Sequence, residues 1–124
     1  MPFDSTPIFD PLTFSLGREG LRKLSYLLRH PEMWSRFEWN FEYVDGPVTK
    51  HDCGTAGCAL GLAGLMWPGH DRIFDFAESE KDQAALFPVF YQNYIYDKPW
   101  ENVMAVDVAD AIDRYLATGN PAKP

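Results

Sequence analysis

Cysteine is scarce in this chain: Cys53 and Cys58 are the only two among 124 residues. A disulfide-stapled scaffold needs several pairs in a short chain, so that class is excluded and both are read as thiols. Basic residues are also short in number, eleven Lys and Arg against eighteen Asp and Glu, for a net charge of −7. Proteins that grip a nucleic-acid backbone cluster Lys and Arg, so direct DNA or RNA binding is set aside. An acidic surface serves solubility and can meet a basic protein partner. Long apolar runs are missing too. The longest, "CALGLAGLMW" at residues 58–67, falls well short of the ~20 residues that span a membrane. The opening "MPFDSTPIFD" has neither the basic nor the apolar region of a signal peptide, so a cytoplasmic location is expected. No internal repeat, linker or low-complexity segment interrupts the chain.

What is present is apolar and aromatic: 46% hydrophobic residues, with nine Phe, six Tyr and four Trp. That composition and a length near the ~100–150 residues of a common domain predict one folded unit. Residues 1–14, with Pro2, Pro7 and Pro11 between apolar side chains, read as an extended N-terminal arm. Residues 15–119 read as the domain and 120–124 as a frayed tail. Helical spacing of Leu21, Leu24, Leu27 and Leu28 predicts a first helix, with Ser15 at its start and Pro31 beyond its end. Phe37, Trp39, Phe41 and Tyr43 alternate with polar residues, the period of a strand. A turn at "DGP" and a return over Val48–His51 would make a hairpin. Ala59 to Met66 is apolar on nearly every face, as in a buried helix ended by "WPGH". "SEKDQAALF" predicts a short helix capped by Ser79, while "PVFYQNYIYDKPW" suits strand and loop equally. "DVADAIDRYLATG" predicts a last helix capped by Asp107 and stopped by Gly119. The expected fold class is α+β: a mostly helical single domain with a small β-hairpin.

The stretch "HDCGTAGCALGLAG", residues 51–64, concentrates the chemistry. Gly54 and Gly57 suit a tight turn, and Thr55 can cap the helix that follows. A cysteine at a helix N-terminus gains thiolate character from the unpaired amides. Cys53, Cys58 and His51 are therefore the catalytic candidates, with His51 as base and Asp52 or Asp71 orienting it. The four residues between the cysteines are not the two of a thioredoxin-like motif, although a reversible disulfide could close across the turn. His51, Cys53, Cys58 and His70 make a two-Cys, two-His set by residue type. Their spacing is not that of a zinc finger, and no metal is assigned. The glycines lack the Lys-Ser/Thr of a phosphate loop, so no nucleotide or other cofactor is expected. The plainer reading covers every residue: a turn, then a buried helix carrying Cys58 as a small core residue. Elsewhere, Asp107, Asp110 and Asp113 form an acidic stripe relieved by Arg114, either a solvated helix face or a contact for a basic partner. Tyr91, Tyr94 and Tyr96 could present a binding surface, Tyr94 foremost.

The motif Cys53-Gly54-Thr55-x-x-Cys58-x-x-Gly61 before an apolar helix resembles that of a family of small uncharacterised proteins in bacteria and their phages. Gly57 and Leu62 depart from the family pattern. The resemblance supplies no activity. Its phage association implies a small acidic accessory protein that modulates a host protein. A non-enzymatic interaction module with a protein partner, in some settings a basic one, is thus the leading expectation. A cysteine-dependent enzyme or thiol redox protein using the Cys53–Cys58 turn is the alternative. Because Cys58 enters the apolar segment and Cys53 adjoins His51 and Asp52, Cys58→Ser should cost about 1–3 kcal/mol and Cys53→Ser less. Thermal melting of the two variants checks this, and a larger loss from Cys53→Ser would mean the turn is reversed.

Overall fold

The computed structural model describes residues 10–35, 38–39, 56–57, 59–92, 94–99 and 102–122. Four α-helices dominate them: α1 (Gly17–Leu28), α2 (Ala59–Met66), α3 (Glu80–Tyr91) and α4 (Ala105–Thr118). Short 3₁₀ turns at Pro31–Trp34, Ile73–Asp75 and Tyr94–Tyr96 link or extend them. The α+β class with a β-hairpin is therefore corrected to a mostly helical fold. Strand pairing among the described residues is confined to β1 (Glu38–Trp39) and β2 (Ala56–Gly57), in register Glu38 to Ala56 and Trp39 to Gly57. The pair is parallel, whereas a hairpin joins antiparallel neighbours through a tight turn. Trp39 also explains part of the alternating pattern. Its indole N–H donates to the Val103 carbonyl at 2.8 Å, so it packs toward the start of α4. The remainder of the expected hairpin, residues 37 and 40–51, lies outside the described residues.

The first helix forms as its leucine spacing predicts. Leu21, Leu24, Leu27 and Leu28 are all buried, and α1 packs more extensively against α4 than any other described pair of elements. From α4 come Val108, Ala111, Ile112 and Tyr115; from α3, Leu86, Val89 and Phe90; from α2, Leu60 and Leu62. All join one apolar cluster. Gly119, in the left-handed region at φ +82°, ends α4 as expected. Asp107 is not the cap. The cap position is Met104, and the Asp107 carboxylate accepts the Met104 N–H at 2.9 Å from inside the first turn. Ser79 does cap α3, accepting the Asp82 N–H at 3.2 Å. That helix then runs through Pro88 to Tyr91. Proline deletes one helical hydrogen bond, to the carbonyl four residues back. Here that residue is Ala84, on an exposed face where water can take the place of the missing donor.

Ser15 has a different task from capping. Position 16 is the cap of α1, without a side-chain bond, and Ser15 Oγ instead accepts from Lys23 Nζ at 3.0 Å. The same ammonium donates to the Thr13 carbonyl at 2.8 Å and the Thr13 hydroxyl at 2.9 Å. Lys23 is only 4% exposed, and a buried ammonium is tolerated when its three N–H groups are all used. Gly20 makes room for this return of the chain, since a side chain there would collide with the Ser15 carbonyl. Phe14 then stacks on His70 with centroids 3.7 Å apart, and the Trp67 indole donates to the Leu12 carbonyl at 3.1 Å. Lys23→Met keeps the aliphatic stem and removes the three bonds. It should lower unfolding free energy by about 1–3 kcal/mol and speed proteolysis near residues 10–16. Denaturant melts and limited digestion read the two effects; an unchanged midpoint would show that Lys23 does not hold this segment.

Candidate functional site

Of the residues singled out by chemistry, His51, Cys53 and Cys58 lie outside the described residues, as do Asp52 and Thr55. His70 lies past the C-terminal end of α2. Its Nδ1 is 3.6 Å from the Asp75 carboxylate and its ring is stacked on Phe14. Among the described residues no group of three His, Cys, Asp or Glu side chains is placed to hold a metal.

The acidic stripe on α4 is described in full, and it is balanced within the chain. Arg29, at the C-terminal end of α1, reaches both Asp110 and Asp113, at 2.7 and 2.6 Å. The hydrogen bonds it donates to Asp110 and Asp113 hold the guanidinium pKa above its ordinary range. Ser25, buried in the same seam, donates to Asp113 at 2.7 Å. Asp107 pairs with Lys98 at 2.9 Å. Arg114, which the linear pattern assigned to the stripe, sends its Nε to the Pro121 carbonyl at 2.9 Å and holds residues 120–122 against the end of α4. Tyr94 is 67% exposed, whereas Tyr96 is buried and donates to the Val89 carbonyl at 2.7 Å. Tyr94 lines a shallow depression with Asp97, Lys98 and Pro99.

The stripe leads to a feature that linear inspection missed. Where the end of α1 meets the start of α4, an apolar groove of about 500 Å³ opens. Its walls are Leu28, Arg29, Pro31, Trp34, Trp39, Met104, Ala105 and Val106. Met104 and Val106 stand out at 51% and 47% exposure. Both tryptophans have their indole N–H groups engaged, Trp34 with the Leu27 carbonyl and Trp39 with that of Val103. They therefore turn apolar ring surface, not a waiting donor, toward the groove. Among its described walls the one ionisable residue is Arg29, already bonded to two carboxylates. The described walls can bind apolar side chains, and among them is no nucleophile or base. A local clue existed in two clusters: "MWSRFEW", which begins beyond the end of α1, and "VMAV", which runs into the first turn of α4. Nothing in the linear order brings those clusters together.

A second polar cluster ties α1, α3 and α4. The Tyr115 hydroxyl donates to the Asp82 carboxylate, which also accepts the Glu78 N–H at 3.0 Å. Arg18 lies over the Tyr115 ring at 5.9 Å and donates to the Leu116 carbonyl at 2.6 Å. Burial, then the bond to Asp82, pushes the Tyr115 pKa up to about 12. The Tyr115 bond, helped by the Glu78 and Ser79 bonds, holds Asp82 below the ordinary carboxylate range. All the polar atoms named here are satisfied by one another, so the cluster reads as a tie between helices.

Comparison of the chain with protein families, with curated proteins and with solved structures finds no match. No helix among the described residues is long and apolar enough to cross a membrane.

The tie has a pH signature. A lowered carboxylate pKa adds stability above its unfolded value near 3.8, lost as pH falls through the folded value. A raised tyrosine pKa adds stability that is complete below about 10 and is lost as pH rises toward about 12. Tyr115→Phe should cost about 1–2 kcal/mol at neutral pH and flatten both limbs of a stability–pH curve. Buried Tyr96, also raised by burial, keeps part of the alkaline limb. Chemical denaturation across pH 3–12 measures this, and a variant whose curve parallels the parent at both ends would refute the tie.

Proposed function

We propose that the chain is a small acidic protein-interaction module of the cytoplasm, docking a basic protein partner in the groove between α1 and α4. In the phage-associated setting that the motif resemblance implies, the partner is a host protein and the module modulates it. The observation that carries the reading is the groove itself. The half-exposed Met104 and Val106 gather with Trp39 and the nearly buried Trp34 into one apolar lining, whereas a solvated surface scatters its apolar side chains. Aromatic and methionine side chains are enriched at the centres of protein interfaces. Charge supports the nature of the partner. The stripe carboxylates Asp107, Asp110 and Asp113 are largely balanced by Lys98 and Arg29, yet the chain as a whole remains at −7. Apolar contact in the groove then supplies affinity, and the wider acidic field supplies steering that salt screens.

Val106→Arg tests this. Position 106 is in the first turn of α4, where a cation costs the helix only about 0.3–1 kcal/mol through its dipole, so the variant should fold. A bacterial protein retained by the parent from lysate at low salt should be lost with Val106→Arg. It should be kept by Phe87→Arg, a change at an exposed apolar position on α3 outside the groove. Equal retention by both variants would show that the groove is not the docking face.

A further inference from the structure

Three observations meet at His70, between α2 and the 3₁₀ turn at Ile73–Asp75. Its ring lies flat on Phe14, with centroids 3.7 Å apart and planes 6° from parallel. Its Nδ1 is shut off from solvent and, among the described residues, makes no hydrogen bond. That nitrogen is 3.6 Å from Asp75 Oδ1, just beyond hydrogen-bond reach. The other oxygen of the same carboxylate accepts the Arg72 N–H at 3.2 Å, which holds Asp75 in place beside the ring. A buried polar atom without a partner costs free energy. A proton removes that cost. The imidazolium carries N–H at both nitrogens, so Nδ1–H can donate to Asp75 Oδ1 as a charge-assisted bond, and the cation rests on the face of Phe14.

We propose that His70 is a pH-operated clasp for the N-terminal segment, fastening residues 12–14 across the end of α2 when its ring is protonated. The segment is a strap over aromatic core. Phe14 meets Trp67 and Phe76 edge-on at 5.5 and 5.8 Å, and the Trp67 indole donates to the Leu12 carbonyl at 3.1 Å. Lys23 holds the root of the strap through Thr13 and Ser15, and His70 clasps it from the other side. The fastened form binds the proton more tightly than the open form. Linkage therefore favours fastening as pH falls through the imidazole range and loosens it as pH rises. The neighbouring charges other than Asp75 have other contacts. Asp71 lies against Gly64 of α2, a helix with no ionisable residue, and Arg72 lies over the Phe74 ring at 5.5 Å. On the strap, Asp10 accepts the Leu12 N–H at 2.9 Å. From α1 and α3, which pack on the 3₁₀ turn, come Lys23 with Glu19 at 3.8 Å, Arg18 on the Leu116 carbonyl, and Asp82 on Tyr115.

Nuclear magnetic resonance of the full chain tests the clasp through the Trp67 indole N–H, whose bond to the Leu12 carbonyl reports the fastened strap. Its exchange rate is taken relative to free tryptophan at the same pH, from about pH 8 to about pH 5.5, a span that holds the imidazole range and stays above that of carboxylates. Protection in the parent should rise about threefold or more on acidification. The same rise should appear in His30→Gln and His51→Gln, which remove the other two histidines. Protection should stay flat in His70→Gln and in Asp75→Asn, whose amide oxygen can still accept the Arg72 N–H. A flat parent, or a rise that survives either of these two changes, overturns the clasp. Asp75→Asn decides alone if circular dichroism shows His70→Gln to be unfolded.

Discussion

The packing of α1 on α4 is the interaction on which the rest of the structure depends. Its apolar residues Leu21, Leu24, Leu28, Val108 and Ile112 are at most 2% exposed. Burying each such side chain contributes about 1.5–3 kcal/mol before conformational entropy is set against it. The ion pairs at the edge of the seam contribute far less, about 0–1 kcal/mol each where solvent reaches them. Their role is positional. Arg29 fixes the end of α1 against Asp110 and Asp113, and Arg18 fixes its start against Leu116 and Tyr115. Apolar burial makes the pair stable, and the two arginines set how far one helix is slid along the other.

The groove is a consequence of that register. Its one wall is the end of α1 and the 3₁₀ turn after it; its other wall is the first turn of α4. Arg29 belongs to both the clamp and the wall. The stripe carboxylates are thus more than a solvated face. Two of them hold the helices whose junction forms the apolar surface, and the third, Asp107, closes the first turn of α4 through the Met104 N–H while pairing with Lys98. A residue set that looked like a charged contact in the linear sequence is mostly occupied in building the uncharged one.

The parts of this arrangement that were legible in the sequence are those written in local order. The leucine spacing of α1, the Ser79 cap of α3 and the Gly119 stop of α4 each depend on residues within a turn or two. The hairpin failed because an aromatic alternation over Phe37–Tyr43 says only that one face is apolar, not what covers it. For Trp39 the cover is the start of α4, and the strand pairing is parallel and distant in sequence. The run of α3 through Pro88 was hidden by a residue that usually ends helices. Its cost is small here because the orphaned carbonyl is on an exposed face. Lys23 carries no local signal of its role; its partners Thr13 and Ser15 become visible only once the chain folds back over Gly20. The groove itself is a tertiary juxtaposition of residues 28–39 with 104–106, and no local pattern encodes it. Of the cysteine motif, the strongest signal in the linear sequence, Cys53, Gly54, Thr55 and Cys58 lie outside the described residues, and the motif enters the account only through the resemblance it carries.

The central claim is that binding takes place on the tryptophan-lined junction of α1 and α4. Nuclear magnetic resonance of the indole N–H signals, assigned by single Trp→Phe substitutions, tests it at the atoms concerned. On titration with a captured partner protein, the Trp34 and Trp39 signals should move together, and the Trp67 signal, whose donor is held by the Leu12 carbonyl beside Phe14, should stay in place. Movement of Trp67 with Trp34 and Trp39 unmoved would put the contact at the C-terminal end of α2, away from the groove, and contradict the account.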